Sequence, residues 1–281
     1  MVGDARFLHF RAGRFTTGGP VCLPGKLISR FSCPAQQLRW FRVCGYDEAM
    51  SDAHPLSILD DQPLILVGNG ACDLDQLAAA PAGHLVAVDG GLRHCQAAGL
   101  NPEAVIGDMD SADLAGLSAT YPDMPVYHLD DQNNTDFEKA LMMFSAQVCL
   151  AYGFLGLRFD HMLASLSVMA RYSDQHQVIL VGENDVVHVT RKAFSMSVSA
   201  GARLSVWPVG QVSFSTSSGL VWPLDGLTLS PDGQVATSNR MQTDNLTLTP
   251  ADGNQGAYAV CCDPEFLPEM LAALTGGSHW R

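Results

Sequence analysis

From residue 63 to about 181, short runs of consecutive apolar residues alternate with stretches of helical period, and this alternation limits the possible folds more than any other feature of the chain. Residues 64–67 form a strand-like run ending at Gly68-Asn69-Gly70, residues 74–80 have helical spacing, and residues 85–88 form a second run ending at Asp89-Gly90-Gly91. Residues 92–98 are again helical and stop at Gly99, and residues 104–106 lead into Gly107. Strand then helix, repeated, predicts a parallel sheet covered by helices, and such sheets bind ligands beyond the carboxyl ends of their strands. The Gly- and Asp-rich loops all fall at that edge.

After about Asp185 the texture changes. Runs at 186–189, 194–198, 203–206, 212–214, 227–229, 246–248 and 257–260 are short, alternating and separated by Gly, Pro, Asn and Asp, which predicts a sandwich or small barrel. Residues 264–274 have the character of a terminal helix. The expected architecture is therefore α/β plus all-β: an N-terminal parallel-sheet α/β nucleotide-binding domain over 61–184, followed by a C-terminal β-sandwich over 185–281. Residues 1–60 read as an atypical extension, disordered or outside the native body.

Charge supports that division. Residues 1–49 hold seven Lys/Arg against three acids, leaving nine basic and 26 acidic residues elsewhere and a formal charge of −17 on the body. The segment lacks sustained periodicity and any apolar stretch suited to a secretory signal. It reads as a dispensable extension ahead of Met50, such as an upstream start would add, with an Arg-rich transit segment as the alternative. An acidic body disfavours a nucleic-acid footprint, which needs a basic stripe, and no apolar run approaches the length of a membrane helix. The expectation is a cytoplasmic protein that binds neither nucleic acid nor membrane. Cys22, Cys33, Cys44, Cys72, Cys95, Cys149, Cys261 and Cys262 include no C-x-x-C pair, so buried free thiols are favoured over disulfides or a zinc site.

The chemistry-bearing segments are GDMDS at 107–111 and NNTDFEKAL at 133–141. Asp108 and Asp110 in one loop can turn toward a single divalent cation, and Asp136 can supply a third oxygen; Mg²⁺ takes such oxygen donors together with water and phosphate. Five acidic-turn residues alone would not carry that reading. Thr135 and Glu138 match a capping box, with Phe137, Ala140, Leu141 and Phe144 as a buried stripe. Asp136 then lies in a first turn, where the helix dipole also favours an acid. Gly68-Asn69-Gly70 lacks the third glycine of a dinucleotide fingerprint, and Gly25-Lys26 is followed by Leu27 rather than Ser or Thr, so neither is a nucleotide signature of that kind.

Taken together, DGG at 89–91, GDMDS, NTDFEKAL, GFLGLRFDH at 153–161, SSGLVWPL at 217–224 and ATSN at 236–239 resemble the thiamine pyrophosphokinase (thiamine diphosphokinase) family, in the family's order across about 64–260. The resemblance implies a homodimer with sites at the subunit interface, and transfer of a pyrophosphoryl group from ATP to thiamine, giving AMP and thiamine diphosphate. It implies that Asp108, Asp110 and Asp136 bind Mg²⁺, and that these three with Arg158 and Asp160 are catalytic. Asp89, Gly90, Gly91, Thr135, Arg158 and His161 would face the nucleotide; Trp222, Ser238 and Asn239 would face thiamine.

Residue chemistry is compatible with each role: glycines let backbone N–H groups approach phosphate, guanidinium suits bidentate phosphate contact, and an indole face can stack on a cationic ring. Each residue also has a plainer reading. DGG is an ordinary strand-ending turn, Asp160 is a candidate N-cap for a helix over 162–172, His161 suits a structural role equally, and Trp222 suits a core. Bacterial members often carry Lys-Asp before Thr-Asp, where this chain has Gln132 and Asn133 below Asp130 and Asp131, which alters the charge around the metal. The rival readings are a pyrophosphokinase for another small alcohol such as a pterin, and a regulatory module that binds nucleotide or thiamine without turnover.

Overall fold

A computed structural model describes residues 41–42, 56–58, 62–107, 124–129 and 133–277. Leu-Ile-Leu-Val at 64–67 has no polar side to offer water, and all four residues are buried. They form β3 (Leu64–Val67), which follows β1 (Phe41–Arg42) and β2 (Leu56–Ile58). Next come α1 (Leu74–Ala78), β4 (His84–Val88), α2 (Leu92–Ala97), β5 (Ala104–Gly107), β6 (Val126–His128) and α3 (Asp136–Met143). Strands β7 (Phe144–Ser145) and β8 (Cys149–Tyr152), helix α4 (Phe159–Tyr172) and strand β9 (Val178–Val181) complete the alternating part.

Strands β9, β8, β3, β4, β5 and β6 lie side by side and parallel, as the alternation predicts. Both faces of these strands are covered. Ile65 and Val67 enter one apolar core with Leu77 of α1 and Leu92 and Cys95 of α2, while Leu64 and Leu66 enter the other with Phe137 and Leu141 of α3 and Val168 and Met169 of α4. Burial on two faces is why the strands read as unbroken apolar runs.

The second half consists of β10 (Val186–Thr190), β11 (Phe194–Ser197), β12 (Arg203–Pro208), β13 (Val212–Ser218), β14 (Thr228–Leu229), β15 (Ala236–Arg240), β16 (Asn245–Pro250), β17 (Tyr258–Cys262) and α5 (Leu267–Thr275). Four of its strands continue the first sheet. β10 pairs antiparallel with β9, and the ten-stranded order is β15-β12-β17-β10-β9-β8-β3-β4-β5-β6. The remaining strands make a four-stranded sheet, β11-β16-β13-β14, whose Phe194, Phe214, Leu246 and Leu248 pack into the first core with Met270 and Leu271 of α5. The change of texture at 185 is thus a change from parallel to antiparallel pairing within one sheet, with a second sheet laid against it.

Among the described residues no helix is long and apolar enough to cross a membrane. Cys72, Cys95, Cys149, Cys261 and Cys262 are free. Burial pushes the Cys72 thiol up to about 11 and those of Cys95, Cys261 and Cys262 up to about 12, so they resist forming the reactive thiolate.

Candidate active site at the carboxyl ends of the parallel strands

Chain leaving β3, β4, β5 and β8 emerges at one edge, and its loops are pressed together. The N–H of Gly70 donates to the Gly153 carbonyl at 2.7 Å, tying the loop after β3 to the loop after β8. A Cβ on Gly91 would sit 1.8 Å from the Val67 carbonyl oxygen, so only glycine allows the turn after β4 to close on β3. Gly107 packs against the Cα and Cβ of Asp89, which places Asp89 beside the start of GDMDS.

Asp89 itself carries two marks of a functional residue. It holds a left-handed backbone, with φ at 47°, and its Oδ1 is buried without a hydrogen-bond partner among the described residues. A buried carboxylate oxygen left unsatisfied costs about 1–3 kcal/mol or more, and a catalytic role, a strained turn or a bound water or ion accounts for such a group in native structures. Asp108 and Asp110 lie outside the described residues.

Thr135 caps α3 by accepting from the Glu138 N–H at 3.2 Å, the half of the capping box that the sequence foresaw. The reciprocal half does not form. Glu138 turns inward instead, accepting from Arg171 and from the Tyr172 hydroxyl at 3.1 Å, because a buried carboxylate gains more from those donors than from a solvated backbone group. Asp136 opens the helix with Oδ1 at 3.0 Å from the ammonium of Lys139, which is only 5% exposed and also donates to the Leu129 carbonyl at 3.1 Å. Sequence reading missed Lys139, although its i,i+3 spacing from Asp136 signals the pair.

Arg158 and Asp160 face each other through two hydrogen bonds, Nε to Oδ1 at 3.1 Å and an Nη to Oδ2 at 2.6 Å, with both side chains about two-thirds exposed. The pairing raises the Arg158 pKa and lowers that of Asp160. Asp160 is not the N-cap of α4. The helix starts three residues earlier than expected, Arg158 occupies the cap position without a side-chain cap bond, and Asp160 falls in the first turn, where the dipole favours its charge. His161 is exposed on the same turn.

At the far edge of the ten-stranded sheet, Trp222 is 56% exposed rather than a core residue. Its loop is clasped by buried Asn239, whose Oδ1 accepts from the Trp222 N–H at 3.3 Å and whose Nδ2 donates to the Trp222 carbonyl at 2.7 Å. Ser238 is exposed, with φ at 58° and its N–H donating to Ser205 Oγ at 3.0 Å. A groove of about 460 Å³ runs between these regions, from Ala71 and Gly156 past Leu155, Met162 and Trp207 to Thr237.

Among the described residues, the non-glycine residues with positive φ are Asp89, Leu157 and Ser238. Each lies in a different one of the motif segments at 89–91, 153–161 and 236–239. Left-handed backbone costs an ordinary residue roughly 1–2 kcal/mol, and such strain gathers at functional sites.

Residues 76–181 match the family model described as thiamin pyrophosphokinase, catalytic domain. That stretch holds the first four motif segments; those at 217–224 and 236–239 lie beyond it. Over 164 residues the chain is 27% identical to thiamine pyrophosphokinase 1 of Arabidopsis thaliana, covering 52% of this chain and 61% of that relative. The chain thus spans about three-fifths of the length of the curated relatives it matches. Its fold is similar to that of thiamin pyrophosphokinase from Geobacillus thermodenitrificans, with TM-score 0.61 and 22% identity over 71% of this chain and 96% of that one. The Candida albicans thiamin pyrophosphokinase gives a TM-score of 0.61 and 14% identity over 72% and 89% of the two chains. Residues 76–181, with four of the six motif segments in order, are thus similar to the catalytic domain of thiamin pyrophosphokinases.

Proposed function

We propose that this protein is a thiamine diphosphokinase, transferring a pyrophosphoryl group from ATP to thiamine and releasing AMP. The observation that carries the reading is the coincidence of backbone strain with three motif segments, together with the partnerless Asp89 carboxylate oxygen beside Gly107. In the reaction the hydroxyethyl oxygen of thiamine bonds to the β-phosphorus while the bond from that phosphorus to the α,β-bridging oxygen breaks. AMP leaves with the electron pair, and the hydroxyl proton passes to a carboxylate or to solvent.

The donor chemistry suits Mg²⁺, since Asp108, Asp110, Asp136 and the orphaned Asp89 Oδ1 offer oxygen only. When bound, the ion would draw negative charge from the β- and γ-phosphates. The chain's own groups do the remaining work by positioning. Gly90 and Gly91 let the turn after β4 approach phosphate, Thr135 fixes the helix that carries Asp136, and His161 lies on the nucleotide side. Asp160 pre-orders the Arg158 guanidinium, whose exposure leaves it able to reach a phosphate.

Trp222 would stack on a ring of thiamine and Ser238 would hydrogen-bond its pyrimidine, with Asn239 acting through its hold on the Trp222 backbone. Trp222 is tied to β15, and Asp89 follows β4, seven steps away in the sheet order. At ~4.8 Å per step the two lie roughly 30 Å apart, further than one thiamine molecule reaches. A homodimer in which Trp222 of one copy serves the nucleotide edge of the other resolves that distance. Domain boundaries near 184 and a cytoplasmic location complete the proposal. Calorimetry with thiamine and a nonhydrolysable ATP analogue, beside a turnover assay, tests it: binding with AMP release supports the enzyme, and tight binding without AMP release replaces it with a regulatory module.

A further inference from the structure

Arg93, which no motif singles out, stands at the same edge as the glycine loops. One of its Nη atoms donates to Asn69 Oδ1 at 2.6 Å and its Nε lies 3.4 Å from the Gly90 carbonyl oxygen. Both acceptors are neutral. Arg158, by contrast, spends two donors on the carboxylate of Asp160, which cancels much of its field toward a ligand. A guanidinium has five N–H donors, and among the described residues those of Arg93 meet two neutral acceptors and no carboxylate.

The setting holds that charge in place. Asn69 packs on Gly90, where a Cβ would meet the Asn69 amide at 2.6 Å, and the neighbouring His94 hydrogen-bonds the Gly70 carbonyl through Nε2 at 2.9 Å. The first turn of α2 therefore grips the loop after β3 with two side chains while resting on the turn after β4. In a body of formal charge −17, an exposed arginine beside the Asp89 turn that meets no carboxylate among the described residues is suited to receive an anion.

We infer that Arg93 is a phosphate-binding residue for the nucleotide, supplying the fixed positive charge at the β3–β4 end of the site while Arg158 serves the β8 end. This rests on the diphosphokinase reading and extends it by one residue. The purely structural alternative is that Arg93 only braces the two loops, in which case Asn69→Ala, which cuts the brace and keeps the charge, should reproduce the effect of removing Arg93.

The experiment compares wild type, Arg93→Gln, Arg93→Lys, Asn69→Ala and the remote surface control Lys192→Gln by steady-state AMP formation and thermal unfolding. Arg93→Gln is expected to raise KM for ATP about 10- to 100-fold, as loss of a charge-assisted phosphate contact does, with KM for thiamine within about twofold of wild type. Arg93→Lys should recover part of the loss, Asn69→Ala should raise KM for ATP less than Arg93→Gln does, and Lys192→Gln should stay within about threefold of wild type. The inference is overturned if Arg93→Gln leaves KM for ATP within twofold, or if Arg93→Gln and Asn69→Ala lose both substrates and thermal stability together. Failure of wild type to form AMP from ATP and thiamine would overturn the diphosphokinase reading itself, an outcome separate from these.

Discussion

The two ends of the ten-stranded sheet are built on opposite principles. At the β4 end, glycine backbones are forced into contact, Asp89 is strained and one of its oxygens has no partner. At the β15 end, the buried Asn239 has both amide atoms satisfied, and that satisfied clasp presents a bare indole. On the proposed reading, the end with unsatisfied charge takes ions and phosphates, and the end with satisfied polar groups and an exposed ring takes a stacking partner. The difference predicts that damage at the first end shows in turnover and ATP dependence, and damage at the second in thiamine affinity.

The sharpest way to break this comparison is at the acidic loop. Asp110→Asn should reduce kcat by about 10²–10³-fold with thermal stability unchanged, since it removes charge from the reacting end without removing packing. Wild-type turnover in that variant would take Asp110 out of the mechanism.

The joint between the halves gives the next largest effect. Strand β10 turns the sheet from parallel to antiparallel, and its His188 is buried, hydrogen-bonded through Nδ1 to the Val178 carbonyl, with burial lowering its pKa to about 4. Folding therefore favours neutral His188. Its penalty is absent above the unfolded value near 6.5 and grows as pH falls to about 4, reaching about 3 kcal/mol. Urea unfolding of wild type and His188→Gln across pH 7.5 to 4.5 checks this: the variant should show the shallower decline, and parallel curves would deny the joint its role.

At the β15 end, Asn239→Ala should destabilise by about 1–3 kcal/mol by leaving the Trp222 backbone groups unpaired, and should raise KM for thiamine more than KM for ATP. The smallest effect belongs to Trp222→Ala. An exposed stacking ring is worth about 0.5–2 kcal/mol, so KM for thiamine should rise about 2- to 30-fold with stability unchanged. Equal rises in both KM values for either variant would erase the distinction between the ends.

What the sequence disclosed follows the range of the interactions involved. β3, β4 and β5 were legible because burial on two faces writes unbroken apolar runs, and the α3 cap was legible because Thr135 reaches only three residues ahead. The other half of that cap was not, since Glu138 is claimed by Arg171 and Tyr172, more than thirty residues away. A β10 strand pairing with β9 looks in sequence like any strand opening a new domain, so its continuation of the first sheet was hidden. The Arg93 bridge to Asn69, 24 residues apart, likewise leaves no local pattern.

The central claim is tested most directly by measuring AMP and thiamine diphosphate formation with ATP, thiamine and Mg²⁺ each omitted in turn. The account predicts the two products in equal amounts when all three are present and neither when any one is missing. AMP release that ignores thiamine, or no AMP with the full mixture, would contradict it.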